Sequence, residues 1–368
     1  MVTATRPGGP RRSPAAGTGR VSIHAFSKAD SVQGQGVGSA YLEQVALITA
    51  ELGDEFDVVD RARRAGHVNH FHSINPEFLA RVPMIRRRGR TVGHVHFIPE
   101  TVHDSITLPR PARAVFDAYM LRFYRSMDQL VTVNPWFIRK LAEDYGFDAE
   151  RIAFIPNFVS EQDFRPLTDP EGAAQVAALR EELGLDPSRP VVLCAGQLQV
   201  RKGFFDFLDV ARAMPDVQFL WAGGFSFGRI TAGHSRIREA AEDLPANVRL
   251  LGMVPRERMN LHVNLADCFF LPSFEELFPM TILEAMAAHT PVVVRELVYY
   301  EGVLADYARR VEAESGQIAP FVEALEGVLA PGPVREQARD AARRGAAAYD
   351  RASVARQWRE FYRGVAAG

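Results

Sequence analysis

Short apolar runs alternate with helix-patterned stretches along this chain, and the alternation restarts once. The first series comprises VSIHAF (21–26), FDVVD, HVNHFHS, TVGHVHFI, QLVTVN and RIAFIPN. The helical patterns AYLEQVALITAEL, ARAVFDAYMLRFYRSM and PWFIRKLAEDYG separate several of these runs. Parallel strands need a helix-length crossover, so this rhythm predicts a parallel, doubly wound sheet. After a break at FRPLTDPEGA (164–173), VVLCAG, VQFLWAGG, VRLLG, CFFLPS and PVVVRE repeat the rhythm with FFDFLDVARAM and MTILEAMAAH. The fold class is therefore α/β: two doubly wound, Rossmann-like domains facing each other across a cleft, over 20–168 and 169–349. The length of 368 residues suits two such units. An amphipathic helix at about 353–365 carries Trp358 and Tyr362 on one side, and the segment 350–368 is expected to pack back on the first domain. Residues 3–19 are Gly, Pro, Ser, Thr and Ala with three Arg, and the segment 1–19 is expected to be disordered.

Composition narrows the function classes. The net charge of −2 supplies no global field for nucleic acid. The two cysteines, Cys194 and Cys268, lie in apolar runs and read as buried thiols in a reducing compartment. No apolar stretch reaches 18 residues, so no membrane span is expected. Arg11 and Arg12 are followed by no apolar segment, so a signal peptide is not expected either. Of 43 basic residues only Lys28, Lys140 and Lys202 are lysines, which singles out each as a place where a compact ammonium is wanted.

Ligands of open α/β sheets bind at the carboxyl ends of the strands, and the chemistry-bearing segments fall there. In LPSFEELFPMTILEAMAAHTPVV (271–293), Glu276 sits in the loop after a strand, and Glu284 in the first turns of a helix beginning near Met280. Taken alone, Glu276 reads as a solvated loop acid and Glu284 as a helix-start acid facing the dipole. In LCAGQLQVRKGFFDFL (193–208), Arg201, Lys202 and Gly203 precede a helix, where cations and backbone N–H groups suit a diphosphate. The loop SVQGQGVGSAYLEQ (31–44) carries Gly34, Gly36 and Gly38, but Ser39 stands where a G-x-G-x-x-G dinucleotide fingerprint needs glycine. Seven of the ten histidines precede residue 104. His70 with His72, and His94 with His96, each point to one face of a strand. No carboxylate or cysteine accompanies them at ligand spacing, so no metal is expected.

The pattern PS-x-x-E-x-F-x(5)-E-A-M-A followed by PVV resembles the motif of retaining, nucleotide-sugar-dependent glycosyltransferases of family 4, which have the GT-B fold. The resemblance rests on Pro272, Ser273, Glu276, Phe278, Glu284, Ala285, Met286, Ala287 and Pro291. It implies that Glu276 lies against the donor sugar with Phe278, Pro279 and Met280 beside it, and that Glu284 bonds the ribose hydroxyls. GQLQVRKG resembles the family's G-R-x(4)-K-G diphosphate clamp, with Lys202 on the clamp lysine, Gln197 in place of the clamp arginine, and Arg201 as a substitute cation. His96 in GHVHFIPET matches the family histidine that reaches donor sugar and acceptor. Gly36, Val37, Gly38 and Ser39 correspond to the glycine-rich loop on the acceptor side. Gly223 and Gly224 of WAGGFSFG, and Met253 and Val254 of LLGMVPRERM, correspond to positions along the nucleotide. The family usually has Gly at the positions of Leu277, Pro279 and His289.

GQGVGSAYLEQ, HVHFIPET, NPWFI, IPNFVS, GQLQVRKG, MPDVQFLWAGGFSFG and PSFEELFPMTILEA are similar to bacterial lipid glycosyltransferases that extend glycosyl-diacylglycerols. That resemblance implies an enzyme moving a hexose from a nucleotide-diphosphate sugar, UDP- ahead of GDP-, to a lipid-linked acceptor with retention. No cofactor or metal is implied, and the expected location is cytoplasmic, at the inner face of the membrane. RVPMIRRRGR (81–90) and LPRPARAVFDAYMLRFYR (108–125) mix Arg with apolar residues suited to anionic headgroups. The alternatives are a polysaccharide or soluble acceptor, or a non-catalytic nucleotide-sugar-binding partner subunit.

Overall fold

The computed structural model describes residues 20–28, 36–105, 109–225 and 234–368, and the side chains of 36–40, 103–105 and 110 lie outside that description. The tail 1–19 and the first part of the glycine-rich segment, Gly34 included, therefore lie outside the described residues.

The first sheet has six parallel strands, β1 (Val21–Phe26), β2 (Phe56–Val59), β3 (Val68–Phe71), β4 (Arg90–Val95), β5 (Gln129–Thr132) and β6 (Ile152–Phe154), in the order β2-β1-β3-β4-β5-β6. The second has β7 (Val191–Ala195), β8 (Gln218–Ala222), β9 (Val248–Gly252), β10 (Cys268–Leu271), β11 (Val292–Arg295) and β12 (Arg309–Val311), in the order β12-β11-β10-β7-β8-β9. Strands β7, β8, β10 and β11 are buried along their whole length. Helices on both faces leave no solvated side, which is why these strands read as continuous apolar runs.

Local sequence explains the helix ends. In the helix Pro135–Tyr145, Asn134 accepts a bond from the Trp136 N–H, Pro135 fills the first turn, and Gly146 closes the end at φ 66°. The glycine-rich segment differs from expectation: Gly36, Val37, Gly38 and Ser39 open the helix Gly36–Leu52 rather than a loop. Buried Tyr41, Leu47, Ile48 and Leu52 dock that helix, and this docking outweighs the cost of two glycines in its first turn. The edge strand β12, read as Arg-Arg-Val, carries no apolar run that would have announced it.

The first sheet is covered on one face by a core containing Phe26, Phe71, Phe78, Phe123 and Phe137. Its other face holds Ile23, Leu47, Val68, Trp358 and Tyr362. The last two belong to the final helix, Arg351–Ala367, which returns from the second half to pack here. Each such aromatic contributes about 1.5–3 kcal/mol by burial. The second sheet has one core rich in edge-to-face rings, such as Phe207 on Trp221 at 5.0 Å.

Candidate active site

A cavity of about 430 Å³ opens between the two sheets, at the carboxyl ends of their strands. Its floor is the loop after β10. Gly203, at φ 74°, lets that loop come close: a Cβ there would meet the Pro272 carbonyl oxygen at 2.2 Å. The Phe274 N–H donates to the Arg201 carbonyl at 2.8 Å. Below the loop, Arg295 donates to the Pro272 carbonyl at 3.2 Å and pairs with Asp206. Both side chains of that pair are 4% exposed. Phe274 covers the Arg295 guanidinium at 4.1 Å.

On this support, Glu276 Oε1 accepts from Lys202 Nζ and, at 2.7 Å, from Ser273 Oγ. Glu276 is 5% exposed and Lys202 12%. Burial pushes the Lys202 pKa down, and the Glu276 carboxylate opposes that shift. Eight residues on, Glu284 is buried in the first turns of the helix Met280–Ala287, as its sequence position predicts. Burial raises its pKa and Arg256 opposes the rise. Arg256 donates to Glu284 Oε1 at 2.6 Å and also pairs with Glu43 of the first half. Burial lifts Glu43 to about 7 against the pull of Arg256.

Further bonds cross between the halves at the same loop. Asn134 donates to the carbonyls of Leu277 and Tyr299, the latter at 2.9 Å. Asn157 donates to the Phe278 carbonyl at 3.1 Å. The residue that caps one helix therefore also fixes the loop that carries Glu276.

The cavity wall brings together His96, Gln197, Arg201, Lys202, Gly223, Gly224, Met253, Val254, Glu276, Phe278, Pro279, Met280 and Glu284. Gly203 lies behind the wall rather than on it, and the side chains of Gly36 to Ser39 lie outside the described residues. A Cβ on Gly223, at φ 138°, would overlap the Gly196 carbonyl at 1.9 Å, so the β7 and β8 ends meet only through glycine. His96 is buried, and burial lowers its pKa to about 4, so the ring is neutral near pH 7. His289 adopts φ 59°, a left-handed conformation that fits the glycine of the resembled family at that position.

Sequence reasoning missed Arg256, Asn157, Val133 and Thr281 on the wall. Arg256 sits in the quoted LLGMVPRERM, but its partners are 28 and 213 residues away, which no local spacing announces.

Comparison with known proteins bears on both halves. The description "Glycosyl transferases group 1" matches residues 175–345, and "Glycosyltransferase Family 4" matches residues 9–163. An alpha-galactosylglucosyldiacylglycerol synthase of Streptococcus pneumoniae (strain ATCC BAA-255 / R6) is 35% identical over 348 residues, covering 95% of this chain and 91% of that protein. A processive diacylglycerol alpha-glucosyltransferase of Acholeplasma laidlawii is 27% identical over 74% of this chain and 78% of its own length. Among solved structures, Anabaena Alr3699/HepE in complex with UDP and glucose superposes with a TM-score of 0.71 at 16% identity, covering 94% of this chain and all of that one. Sucrose-phosphate synthase from Thermosynechococcus elongatus superposes at 0.70 and 17% identity, covering 95% of this chain and all of the other.

Proposed function

This chain belongs to the family 4 glycosyltransferases and is a GT-B hexosyltransferase using a nucleotide-sugar donor, and from that premise we propose that it extends a glycosyl-diacylglycerol with retention at the anomeric carbon. The observation that carries the reading is the buried Lys202–Glu276 pair beside Glu284 in one inter-sheet cavity.

The cavity volume lies within the range of small-molecule sites. Lys202 has three N–H donors, so it can hold Glu276 and a diphosphate oxygen together. With Arg201 on the same wall, it neutralises the leaving diphosphate where other transferases use Mg²⁺. Glu276 orients the hexose and steadies positive charge developing at the anomeric carbon. The departing phosphate oxygen takes the proton of the acceptor hydroxyl on the same face. Neutral His96, across the cavity, hydrogen-bonds donor sugar and acceptor. Glu284 binds the ribose hydroxyls through the carboxylate that Arg256 holds in place, and Met253, Val254, Gly223 and Gly224 line the nucleotide. UDP is the favoured base carrier, in keeping with the ligand named for the Anabaena structure.

The lipid acceptor is argued from the streptococcal and acholeplasmal enzymes, whose names specify an alpha-galactosylglucosyldiacylglycerol product and glucosyl transfer to diacylglycerol. No helix among the described residues is long and apolar enough to cross a membrane. Met84 at 52% exposure, beside Arg87 and Arg88 in sequence, and Val115 at 72%, on the helix that carries exposed Arg122 and Arg125, are two segments of the first half suited to docking on an anionic leaflet.

The test is transfer from a panel of UDP- and GDP-hexoses, with and without glycosyl-diacylglycerol in mixed micelles, in EDTA or Mg²⁺. The expected result is lipid-stimulated transfer from one UDP-hexose, with no stimulation by Mg²⁺. Donor hydrolysis indifferent to lipid would move the acceptor to a soluble or polysaccharide class, and strict Mg²⁺ dependence would overturn the clamp.

A further inference from the structure

We propose that His70, His72 and His94 form a binding site for one divalent transition-metal ion of the Zn²⁺ type, behind the catalytic cavity in the first half. The sheet creates the site. His70 lies on β3 and His72 just past its end; His94 lies on the neighbouring strand β4, whose register pairs Phe71 with Gly93. Two histidines spaced by two on one strand share a face, and the adjacent strand brings the third beside them. One ring nitrogen of each lies within 4.8 Å of the others. Zn–N bonds of about 2.0–2.1 Å need nitrogens about 3.4 Å apart, a contraction that small side-chain rotations supply.

The donor atoms await a partner. His70 Nε2 and both ring nitrogens of His72 and of His94 are buried without a protein hydrogen bond. Such orphaned groups are rare in a folded core. The rings cannot satisfy one another: His70 packs against His72 at 4.0 Å between centroids, and His70 stacks on His94 at 5.4 Å with planes 5° apart. A single ion occupies one nitrogen from each ring at once.

The surroundings complete the argument. Tyr362 Oη lies 2.8 Å from His70 Nδ1, which fixes that ring and leaves Nε2 to the ion. A void of about 10 Å³ adjoins His94 and is lined by Glu43 and Gln44. It has room for about one water beside His94, with the Glu43 carboxylate on its wall. Three imidazoles select Zn²⁺, Co²⁺, Ni²⁺ or Cu²⁺ over the oxygen-seeking Mg²⁺ and Ca²⁺. His96 stays outside the set: it stacks on His94 at 4.0 Å and 2°, and faces the cavity. The ion thus braces the strand end that carries His96 without touching substrate.

The test uses the full-length chain, dialysed against a chelator and then titrated with Co²⁺ and Zn²⁺. One equivalent of Co²⁺ is expected to give visible ligand-field bands of a low-symmetry four-coordinate site, which one equivalent of Zn²⁺ removes. Zn²⁺ is expected to raise the thermal midpoint of the wild-type chain, a readout that needs no variant. His72→Gln and His94→Gln should abolish stoichiometric binding, while Tyr362→Phe should weaken it about 10- to 100-fold. His24→Gln and His289→Gln, outside the cluster, should leave it unchanged. A wild-type chain that takes up no Co²⁺, or a His72→Gln/His94→Gln double variant that still binds one equivalent, would overturn the site.

Discussion

The two halves share a layered parallel fold, but the most prominent buried polar cluster of each is of a different kind. In the second half the buried charges are paired with protein partners: Lys202 with Glu276, Arg295 with Asp206, and Glu284 with Arg256. In the first half a quartet of buried histidines keeps ring nitrogens without protein partners. A paired charge is held in one geometry before any ligand arrives, which is what a site for a highly charged donor requires. An orphaned lone pair costs free energy until something external meets it. The paired cluster of the second half is held in place without a ligand, whereas the histidine cluster of the first half keeps ring nitrogens open to one.

That contrast can be broken by removing one partner at a time. Asp206→Ala should have the largest effect, because it strands the Arg295 guanidinium 4% exposed. A loss of about 3–5 kcal/mol in unfolding free energy is expected from urea titration. A change under about 1 kcal/mol would mean that the Pro272 and Ala313 carbonyls and the Phe274 and Phe321 rings hold the guanidinium without the carboxylate.

Lys202→Met should lower kcat/KM for transfer by about 10²- to 10³-fold, since it removes the cation that the proposed mechanism sets against the leaving diphosphate. A variant with full turnover would reassign that work to Arg201. Glu284→Ala should weaken nucleoside-diphosphate binding by about 10- to 100-fold in calorimetry, the loss of roughly 1.5–3 kcal/mol from a charge-assisted bond. Unchanged affinity would leave Glu284 as a structural partner of Arg256.

The smallest effect concerns the joint between the halves. Folding raises the Glu43 pKa from 4.5 to about 7. Between those values the folded chain keeps a proton that the unfolded chain releases. Stability should therefore fall as pH rises through that window, with a slope of up to about 1.4 kcal/mol per pH unit from this group. Glu43→Gln should remove that contribution to the slope, measured as urea midpoints across the window. An identical slope in wild type and variant would show that Glu43 titrates in the folded chain as it does in the unfolded one.

Much of this was legible because parallel strands write themselves as apolar runs. VVLCAG, VQFLWAGG and CFFLPS each became a buried strand at its expected place. Lys202 was legible in the segment after β7, and Glu276 and Glu284 in the segment after β10; the two strands are neighbours in the sheet, which brings the segments together. What stayed hidden was assembled by distance. Asn134 caps a helix from its own sequence neighbours, yet its amide reaches Leu277, 143 residues on. The histidine pairs were visible on separate strands, but only the register of β3 with β4 turned two pairs into a cluster. Strand β12 escaped because edge strands tolerate arginine and need no apolar face.

The return of the final helix to the first sheet has a consequence for the order in which the molecule can be made. Val159 and Asp350 are bridged where the chain leaves the first half and where it comes back. The second half is thus a guest inserted between two adjacent points of its host. During synthesis from the N-terminus, the host's six strands emerge first but lack Trp358 and Tyr362 on one face. The guest reaches its full length before the host does. The host closes only when the last helix arrives, and with it comes the hydroxyl that holds His70.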